Sequence, residues 1–143
     1  MTKYIVGGVS EYKVDNVSTA ATSLTNQSGF MESIDGLGVE VMPLDCTTFA
    51  DVGERVTPGI QASQEWSVSG FWDNAGTGPD EVYSTMAGTI TAFEYFPQGT
   101  ASSRRKYSGN AMVTSYRITG AVKELIKYEA RFKLDGTMTS ATV

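Results

Sequence analysis

The sequence contains no histidine, and its 143 residues include a single cysteine, Cys46. Histidine is the commonest general base and the commonest protein ligand for metals, so its absence excludes Ser–His and Cys–His catalytic pairs. One cysteine cannot form a disulfide within the chain, which favours folding in a reducing cytosol. Because Asp45 precedes Cys46 and a neighbouring carboxylate disfavours the thiolate, we expect this cysteine to serve in packing or to be chemically inert.

Long apolar runs are also missing. No stretch approaches the roughly 20 apolar residues that cross a bilayer, and the apolar run within residues 1–8 is too short for a secretory signal, so we expect no membrane contact. With 41% hydrophobic and 19% charged residues, the composition is that of a globular protein. The length predicts a single domain over residues 1–143, with a less distinctive N-terminal segment at residues 1–32.

Basic residues are scarce in most of the chain. The formal net charge of −5 argues against a surface built to grip nucleic acid, which needs clustered Lys and Arg. Residues 1–100 carry 3 basic and 13 acidic side chains, whereas residues 101–143 carry 8 basic and 3 acidic ones. The two parts can neutralise each other inside one fold, or they can attract each other on different copies of the chain.

Alternation with a period of two is the strongest pattern present, and its clearest example precedes Gly136. One side of this stretch is apolar and carries Ile126, Tyr128, Ala130, Phe132 and Leu134. The other side is charged and carries Lys127, Glu129, Arg131 and Lys133. The pattern predicts a strand with one apolar and one charged face, and Asp135-Gly136 then predicts a hairpin turn.

Other stretches rich in β-branched and aromatic residues also predict strands. They are Tyr4–Val6, Tyr12–Val14, Leu37–Leu44, Gln64–Trp72, Thr89–Phe96, Lys106–Ile118 and Val122–Leu134, with a last strand from Gly136 to Val143. One helix is predicted over Gly76–Gly88, with Pro79 at its first position and an apolar stripe at Val82, Tyr83 and Met86. The sum predicts a mainly antiparallel β-sandwich or barrel with one short flanking α-helix.

Two segments fit a compact monomer poorly. Asp45–Gly59 has no sustained periodicity and predicts a long loop or extended arm, near residues 45–63, of a length that is often functional. Lys106–Ile118 is polar on both faces. A strand with such weak one-sided patterning is expected either at an exposed edge or in a larger sheet that another copy completes.

Few side chains suggest chemistry. Paired acids could do acid–base work, but solvated loops and a helix start explain all of them better: Asp51, Glu54, Asp73, Asp80 and Glu81. Gly76-Thr77-Gly78 lacks the rest of a phosphate-binding loop. The aromatic cluster Trp66, Phe71 and Trp72 fits core packing or a sugar-stacking platform. The sequence thus predicts no enzyme, no cofactor and no metal site.

The order and spacing of four stretches resemble the major tail tube protein of long-tailed, non-contractile bacteriophages. The likeness covers Ser33 to the C-terminus and rests on "SIDGLGVEVMPLDCTTFAD", "QASQEWSVSGFWD", "GPDEVYSTMAG" and the closing stretch "FEYFPQGTASSRRKYSGNAMVTSYRITGAVKELIKYEARFKLDG". It implies a β-barrel-like sandwich with one helix. It also implies a structural virion protein that assembles into stacked hexameric rings, whose joined sheets line a hollow tube.

The same resemblance implies partners: other copies of the chain, a tape-measure protein, tail tip and tail terminator proteins, and DNA passing through the lumen. It implies a place in the virion tail, after assembly in the host cytoplasm. From predicted exposure alone, the candidate contacts between subunits or rings are Phe49, Asp51, Glu54, Arg55, Lys127, Glu129, Arg131 and Lys133. Two alternatives stay open: the tube of a related secretion or injection machine, and a carbohydrate-binding β-sandwich that uses Trp66 and Trp72.

Overall fold

The computed structural model describes residues 10–15, 24–62 and 64–143. The predicted strand at Tyr4–Val6 lies outside these residues. The described strands are β1 (Glu11–Asp15), β2 (Leu24–Asn26), β3 (Met31–Asp35), β4 (Glu40–Asp45), β5 (Val56–Ala62), β6 (Glu65–Phe71), β7 (Ile90–Phe96), β8 (Arg105–Thr119) and β9 (Lys127–Thr142). A 3₁₀ turn at Ser28–Phe30 precedes β3, and the helix α1 spans Pro79–Met86.

Seven strands form one antiparallel sheet in the order β2-β1-β7-β8-β9-β6-β3. The remaining two strands, β4 and β5, pair only with each other as a hairpin between β3 and β6. Antiparallel sheets fit the short connections and alternating faces seen in the sequence. The predicted mainly β fold with one short helix is therefore confirmed.

The large sheet curls until its distant strands meet over an aromatic core. Three strands separate β1 from β6 in the sheet, yet Trp66 Nε1 on β6 donates a hydrogen bond to the Tyr12 hydroxyl on β1 at 3.2 Å. The Trp66 ring lies 4.8 Å from Phe93 of β7 and 5.6 Å from Phe132 of β9, centroid to centroid. Contacts of this kind across the curl give the sheet its sandwich-like core.

The helix α1 closes the core on one side. Pro79 occupies its first position, and Asp80 and Glu81 lie in its first turn, as predicted. Val82, Tyr83 and Met86 are buried, and the Tyr83 ring lies 5.5 Å from Tyr128 and 5.6 Å from Phe132. The predicted stripe is thus the face that α1 packs on the sheet.

The first half of the polar strand β8 lies inside the sheet, which corrects the expectation of an edge there. Among the described residues, 114–119 of β8 pair only with β9, so the expected edge is confirmed for that half. Residues 107–112 of β8 pair with β7 on one side and with β9 on the other. The face toward the core carries small residues: Ala111 and Val113 are buried, and a Cβ on Gly109 would lie 3.3 Å from the Phe93 ring. Small inward residues leave room for the large rings of neighbouring strands, so a weakly apolar strand can occupy a central position.

The Asp135-Gly136 pair does not form a hairpin, so this prediction is wrong. The strand β9 runs through it to Thr142 and stays paired with β8. Asn110 pairs with Asp135, but Ser108 pairs with Thr139, so β9 contains extra residues at this point. Gly136 has a φ of 79° and takes up the irregularity, which makes the pair a β-bulge instead of a turn.

Gly70 allows β3 to approach β6 closely. A Cβ at this position would overlap the carbonyl oxygen of Phe30, whereas a Cβ at Gly29 would meet nothing. We therefore predict that Gly70→Ala lowers the free energy of unfolding by about 3 kcal/mol, because the backbone of the 3₁₀ turn must move away. Chemical denaturation measures the change. Gly29→Ala is the matched control, and equal stability of the two variants would refute the close approach.

Buried tyrosines predict an alkaline limit to stability. Burial raises the pKa of Tyr12, Tyr83 and Tyr128 well above the ordinary value. In the unfolded chain these phenols ionise at about pH 10. The folded state therefore binds more protons above that pH, so its stability is complete below about pH 10 and is lost as the pH rises further.

In this alkaline pH range we expect phenolate absorbance to increase while the circular dichroism signal of the folded chain decreases. Tyr128→Phe should move the midpoint to higher pH, because one ionising group is removed. Gradual ionisation of all tyrosines near pH 10 with an unchanged dichroism spectrum would contradict this account.

Candidate subunit-contact surfaces

The β4–β5 hairpin projects from the sheet with its apolar side chains in solvent. All six residues of β4 are exposed. Apolar side chains on both strands are 45–78% exposed: Val41, Met42, Leu44, Val56 and Ile60. Two strands alone bury too little to be stable independently. An apolar surface of this kind marks a site of interaction with another molecule.

Three hydrogen bonds fix the base of the hairpin. Met138 N donates to Gln61 Oε1 at 3.1 Å, and Leu134 N donates to the Gln64 carbonyl at 2.8 Å. Gln64 Nε2 also donates to Glu40 Oε2 at 2.7 Å. Both backbone donors belong to β9, so the hairpin leaves the domain beside the C-terminal half of that strand.

Pro43 of β4 pairs with Pro58 of β5, next to a register shift. Proline has no N–H, so neither strand donates a backbone hydrogen bond at this level. A Cβ on the following Gly59 would lie 2.6 Å from the Met42 carbonyl oxygen. The glycine therefore allows the two strands to approach closely beside the proline pair.

The loop predicted over Asp45–Gly59 is shorter in the structure. Residues 46–55 form the tip, and residues 56–62 return as the strand β5. The tip is ordered by its own polar groups: Cys46 N donates to the Arg55 carbonyl at 3.0 Å, and Arg55 N donates to Thr47 Oγ1 at 2.9 Å. The expected arm is therefore a β-hairpin. Its second strand was not predicted, because Pro58 and Gly59 are typical of turns.

Four of the eight candidate contact residues lie on this tip. The Phe49 side chain is fully exposed. Thr48 N donates to Asp51 Oδ2 at 2.8 Å, and this bond is the main reason that the pKa of Asp51 is lowered. Arg55 also forms an ion pair with Asp51 at 3.5 Å. Glu54 has no ion-pair partner among the described residues, so its charge is free for another molecule.

The other four candidates lie on the outer face of β9. Tyr128, Ala130, Phe132 and Leu134 are buried, which confirms the predicted alternation over this part of the strand. On the outer face Arg131 pairs with Glu129 at 3.1 Å, and Lys127 pairs with Glu32 of β3 at 3.2 Å. These pairs are largely exposed and contribute little to stability. The face is a mixed-charge surface beside the serines of β6.

The structure shows a second apolar surface, which the sequence did not predict. The strand predicted from Val122 begins only at Lys127, and residues 120–126 form the loop between β8 and β9. Glu124 N donates to the Ala121 carbonyl at 3.1 Å, and Lys123 has a φ of 69°, so the chain turns here. We call this surface the β8–β9 loop patch. Its exposed apolar side chains are Phe71, Ile118, Val122, Leu125 and Ile126.

The remaining candidates have structural roles. Trp66 belongs to the core, so it cannot stack on a sugar. Trp72 Nε1 and the Tyr116 hydroxyl both donate to Asp80 Oδ1, at 3.3 and 3.1 Å, and hold α1 against the sheet. Asp73 Oδ1 accepts from Ala75 N at 2.7 Å and shapes the turn before the helix.

Cys46 is exposed, so a packing role is excluded. Across residues 10–15, 24–62 and 64–143, no group of three or more His, Cys, Asp or Glu side chains is placed to hold a metal ion. Among the helices of the described chain, none has the length and apolar character needed to span a membrane. The candidate contact surfaces are the hairpin, the outer face of β9 and the β8–β9 loop patch.

Solved structures of tails and injection devices share this fold. The chain is similar to one in the tail of an empty gene transfer agent particle refined with C6 helical symmetry, at a TM-score of 0.69 and 16% identity over 92% of this chain and 94% of that one. Its likeness to the SPP1 tail tube gives a TM-score of 0.70 and 12% identity, over 97% and 80% of the two chains.

A chain of the PVC sheath–tube complex, an extracellular contractile injection system, is similar at a TM-score of 0.66 and 12% identity, over 99% of this chain and 94% of that one. No protein-family profile matches the sequence, and no curated protein matches it. Identities this low establish the fold alone. The chain has the phage tail tube fold, as its resemblance to major tail tube proteins predicted.

The hydrogen bonds of Asp51 predict a pH-dependent tip. A carboxyl group with a lowered pKa supports its bonds above its ordinary pKa, and these bonds are lost as the pH falls through the lowered value. We expect the Thr48 amide to exchange about fivefold faster in Asp51→Ala than in the native chain at neutral pH. Amide exchange by NMR measures this effect. Asp51→Asn, which keeps an acceptor oxygen, is the control, and unchanged exchange in Asp51→Ala would refute the capping role.

Proposed function

We propose that this chain is a structural protein that assembles into hexameric rings, and that the rings stack into a hollow tail tube. The projecting β4–β5 hairpin carries the proposal. Its two strands lack a core of their own, and their apolar side chains need a partner surface. Another copy of the same chain supplies such a surface at every position of a tube.

Two further observations support assembly. The fold is shared with a chain of a gene transfer agent tail that has C6 symmetry and with the SPP1 tail tube. The outer face of β9 also carries both signs of charge, which suits contacts that fix orientation between copies. In this proposal Phe49, Asp51, Glu54 and Arg55 contact a neighbouring copy. Lys127, Glu129, Arg131 and Lys133 meet neighbouring copies or the enclosed channel.

The proposed tube surrounds a tape-measure protein during assembly and conducts DNA at ejection. Tail tip and tail terminator proteins cap the two ends of this tube. A net acidic chain suits a conduit, because a basic lining would retain DNA through its phosphates. Assembly takes place in the host cytoplasm, and the finished tube belongs to the virion tail.

A second candidate is the tube of an injection machine, which the likeness to the PVC sheath–tube complex favours. Its genome neighbourhood would contain a contractile sheath, whereas that of a long non-contractile tail would not. The carbohydrate-binding alternative loses its platform, because Trp66 is buried and only Trp72 is partly accessible.

Negative-stain microscopy of the purified full-length chain tests the proposal, and rings and tubes are expected. In Phe49→Asp the fraction of protein in tubes should fall about tenfold or more, since an apolar anchor is replaced by a charge. The free energy of unfolding should change by less than about 0.5 kcal/mol, because the side chain is fully exposed.

Ala101→Asp is the matched control, since it adds the same charge at another exposed position. It should assemble like the native chain. A native protein that remains monomeric at every concentration, with or without a tail tip complex to seed it, would overturn the proposed function.

A further inference from the structure

The hairpin tip and the β8–β9 loop patch lie at opposite ends of the domain. Glu65, at the start of β6, pairs with Lys133, whereas Phe71, at its end, pairs with Lys127. The hairpin joins the start of β6, and the β8–β9 loop joins the chain just before Lys127. At about 3.3 Å per residue, these two ends are roughly 20 Å apart along the strands, and the hairpin extends the separation.

Both surfaces expose apolar side chains. On the tip, the side chains of Phe49 and Val52 are fully exposed and project into solvent. At the loop a shallow pocket of about 200 Å³ is lined by Thr119, Gly120, Ala121, Glu124, Leu125 and Lys127. Val122 is 90% exposed and Leu125 71% exposed beside this pocket, so the rim around the pocket is apolar as well.

Their charges are complementary. The tip, residues 46–55, contains two acidic side chains and one basic one, Arg55, which is paired with Asp51. Residues 117–127, which are the loop and the strand ends beside it, contain three basic side chains and one acidic one. Lys127 already pairs with Glu32. In the described chain Glu54 on the tip and Lys123 on the loop both lack an ion-pair partner, so each can meet an opposite charge on another molecule.

We propose that the hairpin tip of one copy docks on the β8–β9 loop patch of a second copy in the next ring. Phe49 and Val52 pack against Val122 and Leu125, and Glu54 pairs with Lys123. This inference rests on the proposed function and assigns the receiving surface that the tube requires.

The position of the two surfaces explains why this contact stacks rings. A contact between two different patches is heterologous, and one that does not close generates an open filament. Copies related by translation along β9 bring the tip of one against the loop of the next. A stack of such copies keeps a free tip at one end and a free loop at the other, so a tube grows with a fixed polarity.

Exchanging the unpaired charges tests the contact. Glu54→Lys and Lys123→Glu should each lower the fraction of sedimentable tubes about tenfold, because like charges then face each other across the contact. The double variant should return to within about twofold of the native fraction. Single variants that assemble normally, or a double variant that stays as defective as either single one, would overturn the pairing.

The natural Cys46 gives a second, sharper test. It lies on the hairpin tip and is exposed, so Val122→Cys places a second thiol on the loop patch. A bismaleimide that spans roughly 10 Å, about the three-residue distance from Cys46 to Phe49, should join the tip of each copy in assembled tubes to the loop of the next. A non-reducing gel should then show a ladder of products longer than a hexamer. Ser102→Cys, at an exposed turn on the hairpin's own side of the domain, is the control and should give no ladder.

The length of the ladder decides the geometry. A ladder that stops at the dimer would mean a symmetric contact, one that stops at the hexamer would mean a contact within a ring, and either result overturns the inference. Native tubes with no cross-link in Val122→Cys overturn it as well and leave the proposed function intact. A native chain that forms neither rings nor tubes removes the proposed function itself.

Discussion

The packing of Trp66 against rings from β1, β7 and β9 is the interaction on which the fold depends. It joins strands that are distant in the sheet and so holds the curl in place. With these rings committed to the interior, the inward face of β8 must be built from small residues such as Ala111 and Val113. The other faces of the long strands then remain polar.

In the proposed assembly, stability and association thus rest on different parts of the domain. The curled sheet and α1 supply a core within one chain, while the hairpin and the β8–β9 loop place apolar side chains where that core cannot bury them. A substitution on these two surfaces can alter association without unfolding the chain. A substitution in the core, such as at Gly70, affects both. The long polar strands are matched on both sides only where β7, β8 and β9 run side by side. Among the described residues, 114–119 of β8 and 135–142 of β9 pair on one side only, so they keep a free backbone edge.

The sequence predicted elements whose signals are local. The first turn of α1 has a proline and two acids in their preferred positions, and residues 127–134 of β9 alternate strictly, so the start of α1 and this part of β9 were located correctly. The prediction of a turn at Asp135-Gly136 was wrong because a glycine with positive φ occurs in a β-bulge as well as in a turn. The two are distinguished only by whether the partner strand continues, and here β8 stays paired with β9. Val122–Ile126 read as strand because apolar residues in an exposed loop look like core residues in sequence. Which surfaces lie close together depends on distances between residues that are far apart in the chain. The spacing of residues in the sequence does not give those distances.

The facing prolines Pro43 and Pro58 have a consequence for how copies recognise one another. A two-stranded ribbon with apolar side chains is a template for amyloid-like growth, because its free backbone edges accept further strands. At the level of the proline pair, the ribbon has no N–H to offer an incoming strand. Indiscriminate sheet extension is interrupted there. In the proposed tube, copies then associate through the shapes and charges of their side chains, which distinguish a correct neighbour from any other extended peptide in a crowded cell.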